Sequence, residues 1–255
     1  QEQGITIDVA YRFFSTEKRK FIVADTPGHE QYTRNMATGA STADAAVILI
    51  DARKGLLAQT KRHSYICQLL GIKHIIVAIN KMDLIEYDEV RFLEITEEYK
   101  LFAKNIGIDK NSFIPISAIN GDNVVSLSTN MKWYKEGSLL ELLENIDCEN
   151  EDLLSQPFRM PVQLVNRPNA DFRGVSGKSV SGYVSVNDEI AVFPSGKKTK
   201  VKEIITPGGF AEVSSPAESI TLTFSDEIDC SRGQILSSAN APLEMSNQFE
   251  TTIIW

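Results

Sequence analysis

The chain has 255 residues, 42% of them apolar, which is enough to bury the cores of two globular domains. Its formal net charge of −8 excludes a broad basic face for nucleic acid. No run approaches the roughly 20 uncharged apolar residues of a membrane span and no signal peptide opens the chain, so the sequence reads as cytoplasmic, with no membrane partner.

From the start, residues 5–14 and 20–24 alternate apolar and polar positions around Ser15-Thr16-Glu17-Lys18, the pattern of an antiparallel hairpin at a sheet edge. The charged run Lys18-Arg19-Lys20 reads as a solvated turn. Short β-branched runs follow at 45–50, 75–79 and 113–116, and with 22–24 they suit strands of a parallel sheet buried on both faces. Helical stretches at 60–70 and 87–106 end at Gly71 and Gly107, residues suited to left-handed caps, and a last helix is expected at 138–146. This is a βαβ pattern and sets a first domain at 1–150.

Beyond an acidic link at 148–152 the pattern changes to short strands, at 159–164, 174–180, 189–193, 198–205 and 219–223, spaced by turn residues. A small β-barrel over 157–242 accounts for them. A strand at 250–254 would open a third β domain over 243–255. Cys67, Cys148 and Cys230 lie far apart without metal-ligand spacing and read as small buried hydrophobes of a reducing compartment.

Three segments carry chemistry, each at the carboxyl end of a strand, where open α/β sheets place their ligands. Asp25-Thr26-Pro27-Gly28-His29 offers a carboxylate for a phosphate-bound Mg²⁺ and a glycine whose N–H a terminal phosphate can approach. His29 follows as a residue to position attacking water. Asn80-Lys81-Met82-Asp83 offers at Asp83 a carboxylate for the N1 and N2 donors of guanine, which adenine lacks. Lys81 supplies an aliphatic stem to lie over the base and Asn80 a brace for neighbouring loops. Ser117-Ala118 offers a backbone N–H to guanine O6. Alone, each segment would pass for a solvated turn, but in this order they describe a guanine-nucleotide site.

The stretch Gly174-Val175-Ser176-Gly177-Lys178-Ser179 imitates a phosphate loop. The spacing G-x-x-x-x-G-K-[ST] would require glycine at Phe172, and no helix follows, so it is expected to be an exposed barrel turn.

With these residues in view, the chain resembles translational GTPases of the elongation factor class. Residues 3–14 and 25–32, Gly121-Asp122-Asn123-Val124-Val125 with Trp133-Tyr134, and Asn166-Arg167-Pro168-Asn169 with Asp171-Phe172-Arg173-Gly174 are closer still to the large subunits of bacterial sulfate adenylyltransferases. That resemblance implies a GTPase bound to a smaller catalytic subunit, which joins ATP and sulfate into adenosine 5′-phosphosulfate and pyrophosphate. It implies GTP and Mg²⁺ as ligands: Thr6 and Asp25 at the metal, Pro27 and Gly28 at the terminal phosphate, His29 at the water, and Asn80, Lys81, Asp83, Ser117 and Ala118 at the base. Two alternatives stand beside it, an elongation-factor-like GTPase delivering aminoacyl-tRNA and a non-catalytic binding platform of the same shape.

The family's phosphate loop, with its strand and helix, has no counterpart in these 255 residues. The chain is therefore expected to be a fragment that binds GTP poorly by itself. Its sheet is expected to show a gap between the strand ending at Asp25 and the strand at 45–50.

Overall fold

The computed structural model describes residues 7–147, 151–169, 172–251 and 253. The chain divides into two compact units, residues 1–148 and 149–253, each with its own apolar core.

The first unit opens with the expected hairpin, β1 (Ala10–Ser15) against β2 (Lys20–Asp25), whose register sets Phe14 over Phe21 with ring centroids 4.7 Å apart. Thr16 builds the turn by accepting the Lys18 and Arg19 N–H groups at its hydroxyl. The charged run there is not simply solvated. The Arg19 guanidinium donates to the Leu143 and Ile146 carbonyls at 3.3 and 2.7 Å, and Lys18 pairs with Glu144 at 3.2 Å. These carbonyls lie at the C-terminal end of α4 (Leu139–Glu144), where a helix has no N–H donors of its own left to meet them.

After Asp25 a 3₁₀ turn leads into α1 (Thr33–Ala40), a helix that the sequence did not announce; it has no side-chain cap at its start. The parallel sheet follows, β3 (Ala45–Asp51), β4 (His74–Asn80) and β5 (Asn111–Pro115) in that order, with α2 (Ala58–Leu69) and α3 (Glu89–Asn105) as crossovers. Strand β4 is central, so both its faces are covered, and its run of apolar residues needs no alternation. Gly71 and Gly107 take positive φ after α2 and α3, as expected. Ser138 and Glu141 form a capping box at the start of α4.

The expected gap is present. Among the described residues no strand joins β2 to β3, and Val47 and Leu49 on β3 remain exposed beside buried Ile48 and Ile50.

The second unit begins with α5 (Glu151–Ser155) and continues in β6 (Arg159–Pro161), β7 (Leu164–Asn166), β8 (Gly174–Lys178), β9 (Val184–Ser185), β10 (Glu189–Phe193), β11 (Lys197–Thr206), β12 (Gly209–Ala211), β13 (Val213–Ser214), β14 (Ser219–Phe224) and β15 (Ile235–Ser238). The main sheet runs β6-β15-β10-β11-β14-β8-β7, entirely antiparallel. Its two ends are consecutive strands joined through Val162 and Gln163, whose N–H groups bond to Gln234 and Ser176 on the neighbouring strands' segments. The sheet therefore closes on itself as the expected barrel, around Met160, Val192, Val201, Ile204, Leu222 and Leu236.

The loop imitator is not an exposed turn: it is mostly β8, with Gly174, Val175, Gly177 and Ser179 buried. Its glycines answer to packing, since a Cβ at Gly177 would collide with the Pro161 carbonyl and one at Gly174 with Thr221. At the expected last strand, residues 250, 251 and 253 carry no strand, while 252, 254 and 255 lie outside the described residues. Cys67 and Cys230 are buried as expected, and Cys148 lies outside the described residues; burial pushes the Cys67 thiol up to about 11. No helix among the described residues is long and apolar enough to cross a membrane.

Candidate guanine-nucleotide site

At the end of β4 the ladder places Asn80 beside Asp51, the last residue of β3. The chain must then leave the strand sharply. Lys81 adopts φ 66°, and Met82 plugs the core with its N–H on the Ile116 carbonyl, starting the 3₁₀ turn Met82–Ile85. Asn80 braces this turn through its side-chain oxygen, which accepts the Lys81 N–H at 2.7 Å and the Ala118 N–H at 3.0 Å. Two loops, after β4 and after β5, are thus held by one amide.

The Ser117 hydroxyl donates to Asp83 Oδ1 at 2.6 Å. No hydrogen bond from the described residues reaches Asp83 Oδ2, and the residue is only partly buried. The structure brings Asn80, Lys81, Asp83, Ser117 and Ala118 into one cluster. Of the two N–H groups in the Ser117-Ala118 segment expected near guanine O6, that of Ala118 donates to Asn80 and that of Ser117 to the Asp122 carbonyl.

Lys81 is anchored by a residue that the sequence reading passed over. Its ammonium sits 3.0 Å from Asp51 Oδ2, while Arg53 holds the same carboxylate with Nε at 3.0 Å and Nη2 at 2.6 Å. The Arg53 guanidinium and then Lys81 hold the Asp51 carboxyl well below the usual carboxylate range, against the opposing effect of burial. A polar residue closing an apolar strand, as at Asp25 and Asn80, was the signal available for Asp51.

The phosphate-side residues stand apart from this cluster on the segment that follows β2. Asp25 ends that strand opposite Ala10 and is exposed; Pro27 is buried; Gly28 and His29 are exposed. A Cβ on Gly28 would meet nothing within 4 Å, so no protein neighbour accounts for the glycine, and its open face suits the approach of a ligand. Thr6 lies outside the described residues, although Asn35 fixes the adjoining Ile7 carbonyl at 2.8 Å. Among the described residues no group of three or more His, Cys, Asp or Glu could hold a metal.

Residues 1–149 match the family described as the elongation factor Tu GTP binding domain. Over its whole length the chain is 58% identical to sulfate adenylyltransferase subunit 1 of Aliivibrio fischeri strain MJ11. The chain belongs to the elongation factor Tu GTP binding domain family. A second relative, sulfate adenylyltransferase subunit 1 of Colwellia psychrerythraea, is 55% identical, again over the whole chain. The chain spans about half the length of these relatives, 54% in both cases. Among solved structures, a bacterial selenocysteine-specific elongation factor matches 93% of the chain and 39% of its own length, with a TM-score of 0.52 at 24% identity. The elongation factor SelB of Methanococcus maripaludis, solved with a GTP analogue, matches 92% of the chain and 50% of its own length, with a TM-score of 0.51 at 24% identity. At that identity both speak for the fold alone, an α/β unit followed by a β unit.

Proposed function

We propose that this chain is the base-reading and switch portion of a GTPase subunit of sulfate adenylyltransferase. In that role GTP hydrolysis is coupled to the unfavourable synthesis of adenosine 5′-phosphosulfate and pyrophosphate from ATP and sulfate, with adenylyl transfer carried out by a smaller partner subunit. The observation that carries the reading is the Asn80–Asp83–Ser117 cluster, set within a chain that matches a protein named subunit 1 along its full length.

The roles follow from the chemistry. The Asp83 carboxylate accepts the guanine N1 and N2 donors, the Lys81 stem covers one face of the base, and Asn80 holds the Ser117-Ala118 loop along the O6 edge. On the other side Gly28 admits the terminal phosphate, and the exposed His29 orients the water that attacks it. A bound Mg²⁺ neutralises phosphate charge. With no all-protein metal cluster among the described residues, the donor set fits a magnesium held chiefly by phosphate and water, with Asp25 and Thr6 contributing.

Asp83→Asn tests the assignment. Xanthine keeps the N1 donor but carries a carbonyl where guanine has its amine, so an amide in place of the carboxylate complements xanthine. In the intact protein the variant is expected to lose GDP affinity by roughly 100-fold or more and to gain affinity for xanthosine diphosphate. Unchanged preference for GDP in a binding titration refutes the base reading.

A further inference from the structure

A closed hydrogen-bond circuit runs from the base-reading carboxylate through two residues that belong to no base-reading motif. Asp83 Oδ1 accepts the Ser117 hydroxyl at 2.6 Å. Ser117 and Asp122 exchange backbone hydrogen bonds in both directions, at 3.2 and 3.1 Å. The Asp122 Oδ2 atom accepts the Tyr87 hydroxyl at 2.9 Å, and the Tyr87 N–H returns to the Met82 carbonyl at 2.9 Å, next to Asp83.

Each corner of the circuit is reinforced. Asn120 donates to the Tyr87 hydroxyl at 3.2 Å, and the Trp133 indole N–H to the Tyr87 carbonyl at 3.2 Å. Ser128 and Asn130 donate to Asp122 Oδ1 at 2.5 and 3.3 Å.

The backbone carries an independent sign. Six non-glycine residues described here have positive φ, and four of them, Lys81, Glu86, Tyr87 and Asn123, surround this circuit. Glu86 and Tyr87 are consecutive, at 56° and 58°. A side chain with a Cβ disfavours that region, so two in succession persist only where the surroundings over-determine them, as at binding sites.

We propose that Tyr87 and Asp122 are positioning residues for base specificity, clamping the Asp83 turn to the Ser117 loop so that the carboxylate is pre-set to receive the guanine N2 amine. The proposal rests on the reading of Asp83 as the guanine reader. With the turn clamped, Oδ1 is tied to Ser117 and Oδ2 is fixed in direction; with it loosened, the carboxylate is no longer held where the amine arrives.

Inosine diphosphate provides the discriminating probe because it lacks only that amine. In the intact protein, Tyr87→Phe removes the hydroxyl alone. It is expected to lower the preference for GDP over IDP by about 3- to 10-fold, the worth of one hydrogen bond, while IDP affinity stays within about twofold. Asp122→Asn keeps an acceptor for Tyr87 and is expected to retain the wild-type preference, whereas Asp122→Ala loses it. Equal weakening of both nucleotides, or an unchanged preference in both Tyr87→Phe and Asp122→Ala, overturns the clamp. A wild-type protein that binds GDP no better than IDP overturns the reading of Asp83 itself.

Discussion

At the scale of single residues, Asp51 shows how the base site is held from beneath. Its carboxylate joins the end of β3 to the Lys81 ammonium and is gripped by Arg53 on its other side. Its folded pKa is depressed, so its contribution is complete above the unfolded value of 3.8 and is lost as pH falls below it. Asp51→Asn is expected to destabilise the protein by on the order of 2 kcal/mol at pH 7. The difference from wild type should shrink as pH is lowered from 5 toward 2, and unfolding titrations across that range measure it. A difference that does not vary with pH would assign the effect to shape instead of charge. Asn80, Asp83 and Ser117 were legible in the sequence because they fall in short motifs directly after apolar strands. Asp51, Tyr87 and Asp122 were not, because each acts through a partner 30 or more residues away that only the folded sheet brings near.

Among elements, β8 is instructive because its Gly-x-x-Gly-Lys-Ser string belongs to packing and not to phosphate binding. The barrel closes where β6 bends into β7, and at that corner the Pro161 carbonyl lies where a Cβ on Gly177 would project. Gly177→Ala is expected to cost about 1–3 kcal/mol through overpacking against backbone that has little room to move. A urea-denaturation midpoint that matches wild type would refute the close approach. Strand β4 was legible because burial on both faces leaves an unbroken apolar run. Helix α1 was not, since it lacks a side-chain cap, and β9, β12 and β13 are two or three residues long, too short for any alternation to register.

For the whole molecule, the second reading that the sequence left open, delivery of aminoacyl-tRNA, makes a different demand on the surface. Nucleic-acid binding depends on clustered cations that displace counterions, and the chain's net charge is −8. The intact protein is expected to elute as a complex with the smaller adenylyl-transferring subunit on size exclusion and to retain no aminoacyl-tRNA on filters at moderate salt. The converse result would return it to translation. Fold class was legible at this scale because a βαβ pattern giving way to short strands separates the two units. The barrel was legible too, from its short strands and turn residues, but the order in which its strands pair was not, because that depends on which strands become neighbours.

The clasp between the hairpin turn and α4 joins two places that the sequence holds 124 residues apart. The Arg19 guanidinium grips the chain at Leu143 and Ile146, just before residue 148, where the first unit ends. The end of the first unit is thereby tied, through one side chain, to the hairpin whose second strand ends at Asp25, the proposed metal-side carboxylate.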